Sequence, residues 1–198
     1  TIRVNDPQID LAIGHRTRRA RRNAQWLRRT NAVLRNHLLH FDVREACDAF
    51  RATYDRTRGA DGYVSIEVSP GAANDARATI SEASRLWATV DRPNVMVKVP
   101  GTVEGAKAVR QLTANGVNVN ITLLFAIDAY KSVIDAYMAG LEDRIGSGKD
   151  ISTIHSVASF FVSRVDTEVD KRLDAKIKAG SAEQLASLHG KAAIANAK

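Results

Sequence analysis

The sequence contains a single cysteine, Cys47, among its 198 residues. One thiol excludes an intrachain disulfide framework and a zinc site built from several thiolates, so we expect Cys47 to be a small, buried apolar residue. No apolar run approaches the roughly 18 residues that a membrane span requires. Residues 1–10 lack the apolar stretch of a secretory signal peptide. The sequence therefore predicts a cytoplasmic protein with no membrane partner.

Motifs for nucleotides and metals are also missing. Neither G-x-x-x-x-G-K-[ST] nor G-x-G-x-x-G occurs in the sequence, so no nucleotide loop is indicated. His155 and His189 stand alone, without the His, Cys or carboxylate spacing of a metal site. We therefore expect neither a metal nor another cofactor.

The positive charge lies at one end of the chain. Residues 1–40 hold nine arginines and two aspartates, whereas residues 41–198 hold 20 basic and 20 acidic side chains. The densest part is Arg16–Arg22, and such a block can bind nucleic acid or another polyanion. We favour a solvated helix over a nucleic-acid site, because only Trp26 is available for base stacking. The sequence thus predicts a basic helical or irregular extension over residues 1–40 and one further domain over 41–198.

Strands and helices alternate in that second domain. A helix is predicted over 41–58 with Asp42 as its N-cap. Strands are predicted over 63–68, 94–99, 117–124 and 152–162. Helices are predicted over 74–90, 102–115, 126–145, 164–177 and 182–197. Thr102 can cap the helix over 102–115 and Gly116 can end it. This alternation indicates βαβ units and a parallel sheet.

Each of the first three strands has one apolar and one partly polar face. The apolar set comprises Val64, Ile66, Val68, Val95, Val97, Val99, Val117, Val119, Ile121 and Leu123. The opposite set includes Glu67, Lys98, Asn120 and Thr122, which lie toward the carboxyl ends of their strands. An open parallel sheet is apolar on both faces, whereas a (β/α) barrel can carry polar side chains inside and helices outside. The pattern therefore favours an α/β fold of the barrel type, with its site at the carboxyl ends of the strands.

Lys98 is the most informative of these residues. A lysine inside a strand and just before Pro100 either reaches solvent or stays partly buried. Burial would lower the pKa of its amine and suit it to Schiff-base formation with a carbonyl substrate. The competing interpretation is an ion pair with Glu67 on the neighbouring strand. Arg164, which follows the fourth strand, fits either a phosphate ligand or an ordinary surface arginine.

Four segments together resemble the transaldolase family. They are Val64-Ser-Ile-Glu-Val68, Val95-Met-Val-Lys-Val-Pro-Gly-Thr102, Gly116-Val-Asn-Val-Asn-Ile-Thr-Leu-Leu-Phe125 and Ser156-Val-Ala-Ser-Phe-Phe-Val-Ser-Arg164. The resemblance covers about residues 42–174. It implies a (β/α)₈ TIM barrel without cofactors that acts on sugar phosphates in the pentose phosphate pathway. The implied reaction moves a dihydroxyacetone unit from sedoheptulose 7-phosphate to glyceraldehyde 3-phosphate, giving erythrose 4-phosphate and fructose 6-phosphate.

The resemblance also assigns roles to individual residues. Among the catalytic residues, Lys98 matches the Schiff-base lysine, Glu67 the carboxylate that transfers protons through a water, and Thr122 the hydroxyl that holds this water. The substrate-binding residues are Asn120 for the dihydroxyacetone unit, Ser159 and Arg164 for phosphate, and Phe161 in the pocket lining.

The family pattern is incomplete in this sequence. The four segments correspond to four of eight strands, and the aspartate and asparagine expected on the first two strands are not found in residues 1–62. Residues 175–198 are predicted to be helical. A half barrel leaves open strand edges. We therefore expect a fragment, a truncated product of weakened or lost activity, or a paralogue that completes itself as a homo-oligomer. Two alternatives stay open: an aldolase that only adds or releases dihydroxyacetone, and a non-catalytic scaffold whose arginine-rich N-terminus binds nucleic acid or an acidic partner.

Overall fold

The computed structural model describes residues 32–180 and 183–197. The arginine-rich segment Arg16–Arg22, with Arg28 and Arg29, lies outside these residues. The chain divides into two compact units, Thr1–Asp42 and Val43–Lys198, and the second unit contains the sheet. No helix in the described part of the chain is long and apolar enough to cross a membrane.

Strands and helices alternate along the described chain. The strands are β1 (Val64–Glu67), β2 (Val95–Pro100), β3 (Val119–Leu124) and β4 (Ser156–Phe160). The helices are α1 (Ala32–Arg56), α2 (Ala76–Val90), α3 (Val103–Asn115), α4 (Ile127–Gly146), α5 (Ser163–Lys178) and α6 (Ala192–Ala197). Short 3₁₀ helices span Pro70–Ala72 and Glu183–Leu188. The predicted alternation is confirmed.

The four strands form one parallel sheet in the order β1-β2-β3-β4. Consecutive strands are therefore neighbours, each joined to the next by a helix, as in a (β/α) barrel rather than a doubly wound sheet. The fold is α/β, with four parallel strands and flanking helices that match part of a TIM barrel.

Helices cover the apolar face of the sheet. Val97, Val99 and Val119 are fully buried there, together with Val109 and Leu112 of α3. A second small cluster places Cys47 of α1 against Val90 and Val95. Burying such side chains stabilises the fold by roughly 1.5–3 kcal/mol each. Seven of the ten apolar strand residues selected by their spacing of two are buried in these two clusters.

The two ends of α3 have the predicted capping residues. The Thr102 Oγ1 accepts a hydrogen bond from the Gly105 N–H at 2.9 Å, and Gly116 ends the helix in the left-handed region at φ 89°. Both predictions are confirmed. Asp75 caps α2 in the same manner, accepting from the Ala78 N–H at 3.0 Å.

Two predicted helices differ from those observed. Asp42 is not an N-cap, because α1 begins at Ala32 and passes through Asp42 without a break. The single helix predicted over 182–197 is also wrong in its described part. There the chain forms a 3₁₀ helix and then the short α6, with Gly190 at φ 69° between them.

A bulge in β3 overturns the predicted facing of Leu123. Leu123 has a left-handed backbone at φ 63°, and the register of β3 with β4 shifts between Ile121 and Leu124. One extra residue reverses the alternation. Leu124 therefore enters the buried core, whereas Leu123 is 42% exposed. Leu124 lies so close to Gly101 that a Cβ at position 101 would collide with the Leu124 Cδ2.

Candidate active site

Glu67, Lys98 and Asn120 lie side by side across three strands. Glu67 of β1 pairs in register with Lys98 of β2, and Lys98 pairs with Asn120 of β3. Register partners in a parallel sheet project from the same face. Thr122 is in register with Pro100, two residues farther along. The structure therefore brings all four predicted residues to one face, near the carboxyl ends of the strands.

Lys98 is the only partly exposed residue in a strand that is otherwise buried along its length. Within the described residues its amine forms no ion pair and no hydrogen bond. Glu67 is exposed and likewise has no ion-pair partner there. The competing interpretation of a Glu67–Lys98 ion pair is therefore wrong for this structure. The amine is adjacent to a carboxylate and is not neutralised by it.

Asn120 is held from both sides by serine hydroxyls. Its Nδ2 donates to the Ser65 Oγ at 3.0 Å, and its Oδ1 accepts from the Ser159 Oγ at 2.9 Å. The side chain is 8% exposed. A carboxamide has two N–H groups and two acceptor sites, so one of each stays available to a ligand. Thr122, 4% exposed, supplies a nearby hydroxyl on the same strand.

Phe161 and Arg164 follow β4 and lie against each other. The Arg164 guanidinium carbon is 4.3 Å from the centre of the Phe161 ring, which is a cation–π distance. Phe161 also contacts Phe125, whose ring stacks on it with a centroid distance of 5.1 Å and an interplanar angle of 16°. Arg164 is exposed and makes no ion pair within the described residues. Its charge is thus available to an anion.

Arg164 also belongs to the first turn of α5. The α5 N-cap, Val162, provides no side-chain hydrogen bond. The first N–H groups of a helix lack intrahelical partners and attract anions. An exposed arginine and an uncapped helix end thus occur together after β4.

Two residues that contact the predicted site residues are not indicated as site residues by the sequence. Ser65 lies two residues before Glu67 on β1, so the strand period places both side chains on the same face. Its hydrogen bond to Asn120, however, joins residues 55 positions apart. Phe125 follows the β3 bulge, and a strict alternation of two gives it no place in the site. The sequence feature that indicates Ser65 is its polar side chain two residues before Glu67. No such feature in the sequence indicates Phe125.

Cys47, His155 and His189 lie away from this row of residues and make structural contacts. Cys47 is fully buried, as predicted, and burial, with a smaller contribution from Asp48, raises the pKa of its thiol to about 11. The His155 ring lies 5.5 Å from that of Tyr63, and His189 lies 3.2 Å from the Asp174 carboxylate. Among residues 32–180 and 183–197, no three His, Cys, Asp or Glu side chains are grouped to hold a metal ion.

The arrangement combines an unpaired amine, an adjacent carboxylate, a clamped carboxamide and an arginine. An amine can condense with a carbonyl, a carboxylate can move protons, and the other two groups can hold a hydroxyl and an anion.

Comparison with known proteins identifies the family. The sequence model of the Transaldolase/Fructose-6-phosphate aldolase family matches residues 8–198, a longer stretch than the four segments indicated. The "Transaldolase" of Thermobifida fusca is 53% identical over 158 residues, which cover 80% of this chain and 42% of that protein. The "Transaldolase" of Kocuria rhizophila is 55% identical over 157 residues, covering 79% and 42%.

A cyanobacterial relative gives the same result. "Transaldolase 2" of Nostoc sp. is 50% identical over 166 residues, covering 81% of this chain and 44% of that protein. The chain spans about two fifths of the length of the curated relatives it matches. On the family match and these identities, the chain belongs to the transaldolase/fructose-6-phosphate aldolase family.

Proposed function

We propose that this chain carries the Schiff-base part of a transaldolase site and transfers a dihydroxyacetone unit between sugar phosphates. The supporting observation is the row formed by Glu67, Lys98 and Asn120, in which the amine is partly buried and unpaired beside a carboxylate. A lysine in such a position has no structural partner to account for it, and this favours chemistry over packing.

The covalent steps proceed through Lys98. Its unprotonated amine attacks the C2 carbonyl of the ketose, and loss of the carbonyl oxygen as water gives an imine. After protonation of the imine nitrogen, the C3–C4 bond breaks. Its electron pair moves toward the nitrogen, the C4 hydroxyl loses its proton, and an aldehyde departs. The remaining three-carbon enamine attacks the carbonyl carbon of the acceptor aldehyde, whose oxygen takes up a proton. Water then hydrolyses the new imine and releases the Lys98 amine.

Glu67 and Thr122 are assigned to proton transfer. Glu67 is the register partner of Lys98, and its exposed carboxylate can accept or return protons through a water. Thr122 lies on the same face and can hold that water through its hydroxyl. The pair would act on the hydroxyl protons that move as the carbon–carbon bond breaks and forms.

Asn120 and Arg164 are assigned to substrate binding. The free N–H and acceptor site of the clamped Asn120 suit a hydroxyl of the three-carbon unit. Arg164, with the α5 N-terminus, suits the phosphate, and Phe161 supplies the surface beneath the guanidinium. While the Ser159 hydroxyl donates to Asn120, it has no second proton for a phosphate oxygen. The role of Ser159 at the phosphate therefore stays a prediction.

A two-arm activity assay tests the proposal. Fructose 6-phosphate with erythrose 4-phosphate should give sedoheptulose 7-phosphate and glyceraldehyde 3-phosphate. Release of free dihydroxyacetone without an acceptor would instead indicate an aldolase. Lys98→Ala should abolish either product, and an active Lys98→Ala protein would refute the proposal. A cytoplasmic location and a homo-oligomer stay predictions, and nucleic-acid binding by residues 1–40 stays the disfavoured alternative.

A further inference from the structure

Phe125 has no role in the steps above, yet it has well-defined contacts. Its ring is 41% exposed, so packing in the core does not explain its position. It stacks nearly parallel on Phe161 at 5.1 Å, within the range of favourable aromatic pairs. The second partner of Phe161 is the Arg164 guanidinium, whose carbon lies 4.3 Å from the ring centre. Phe125, Phe161 and Arg164 are thus linked by ring contacts at the carboxyl ends of β3 and β4.

Hydrogen bonds to main-chain atoms hold the segments that carry both rings. The Phe161 N–H donates to the Leu124 carbonyl at 2.8 Å, so the two aromatic residues leave their strands side by side. The Phe125 carbonyl accepts a hydrogen bond from the Asn196 side chain of α6. The Leu123 bulge, with its left-handed backbone, turns Leu124 into the core and places Phe125 beside Phe161. A strained non-glycine residue thus accompanies an exposed ring, a combination that is common beside functional sites.

We propose that Phe125 is a positioning and specificity-determining residue for the phosphorylated end of the substrate. By stacking on Phe161, it fixes the surface on which the Arg164 guanidinium rests. A planar guanidinium that is already oriented loses less freedom when its N–H groups bind phosphate oxygens. Phe125 itself does not contact the phosphate. The inference rests on the proposed assignment of phosphate to Arg164.

The proposal distinguishes two ligands that each form an imine with Lys98. Fructose 6-phosphate carries a phosphate, whereas dihydroxyacetone has none, and each presents a ketone to Lys98. Borohydride reduction traps either imine, so the half-saturating concentration for trapping can be measured for both. A defect in phosphate positioning raises this concentration for fructose 6-phosphate alone. A general loss of structure changes both.

Phe125→Leu is the main variant of the test. It removes the stacked ring and keeps an apolar side chain, so we expect a roughly three- to tenfold rise for fructose 6-phosphate, the loss typical of stacking and cation–π contacts. The value for dihydroxyacetone should not change. Phe125→Tyr keeps the ring and should restore the wild-type value. Phe41→Leu makes the same replacement at a phenylalanine that is 57% exposed on α1, and should change neither value.

Arg164→Gln distinguishes failure of this inference from failure of the proposed function. It should raise the fructose 6-phosphate value more than Phe125→Leu does. If Arg164→Gln has this effect and Phe125→Leu has none, or raises both values equally, the role of Phe125 is refuted while the phosphate assignment stands. If Arg164→Gln has no effect, the phosphate assignment fails and the inference fails with it. No trapping in the wild-type protein refutes the proposed function and this inference together.

Discussion

The two faces of the sheet consist of alternate residues of the same strands, but their surroundings differ sharply. On the face toward the helices, Val97 and Val119 are fully buried in one continuous core. On the other face, Glu67 is exposed and Lys98 is partly exposed. The first face stabilises the fold through apolar burial, and the second carries groups that packing does not require. Substitutions on the two faces should therefore affect different measurements.

The largest expected effect is on the polar face. Lys98→Ala should reduce dihydroxyacetone transfer and borohydride trapping to undetectable levels, because Lys98 is the one lysine in the four strands of the described sheet. The urea midpoint should change little, since the Lys98 amine has no partner among the described residues. Lys131→Ala, at an exposed lysine of α4, serves as the control and should keep activity.

A substitution on the buried face should instead lower the stability of the fold. Leu112 of α3 is fully buried, so Leu112→Ala should lower the free energy of unfolding by about 2–5 kcal/mol in urea denaturation. Leu188→Ala makes the same change at a side chain that is 47% exposed, and should cost no more than about 0.5 kcal/mol. Equal losses for the two variants would contradict the assignment of stability to the buried core.

The buried Cys47 thiol predicts a pH dependence. Its pKa is about 11 in the folded chain and 9.0 as the ordinary value, so folding favours the protonated thiol. This contribution is present below pH 9 and is lost as the pH rises from 9 to 11. The urea midpoint of the wild-type protein should therefore fall more steeply over this range than that of Cys47→Ala. Parallel slopes would show that the thiol does not titrate as its burial indicates.

The smallest expected effects concern two helix ends. Asp91 ends α2 with a left-handed backbone at φ 50°, which costs a non-glycine residue free energy. Asp91→Gly should raise the free energy of unfolding by about 0.5 kcal/mol. Gly116→Ala, at φ 89° after α3, should lower it by about 1 kcal/mol or more, because the new Cβ would also lie 2.8 Å from Arg144. A thermal melt of both variants checks the opposite signs.

The sequence pattern predicts much of the architecture because a strand alternates its side chains with a fixed period. That period, together with the polarity of the residues, predicts that Lys98 and Asn120 share one face, and the register of β2 with β3 agrees. Thr102 and Gly116 were predicted from local capping chemistry, which depends only on residues close in the chain.

The remaining features depend on contacts between distant residues. The β3 bulge arises where the register with β4 shifts, so alternation along β3 could not show that Leu123 and Leu124 exchange places. The Ser65–Asn120 bond and the Phe125–Phe161 stack likewise join different strands. The capping potential of Asp42 was outweighed by continuation of α1 on its N-terminal side.

The central claim is that the Lys98 amine condenses with a sugar ketone. Peptide mapping by tandem mass spectrometry, after incubation with dihydroxyacetone and borohydride, measures this directly. The account predicts a reduced three-carbon adduct on Lys98 well above the level on every other lysine. An adduct spread evenly over all the lysines, or none at Lys98, would contradict it.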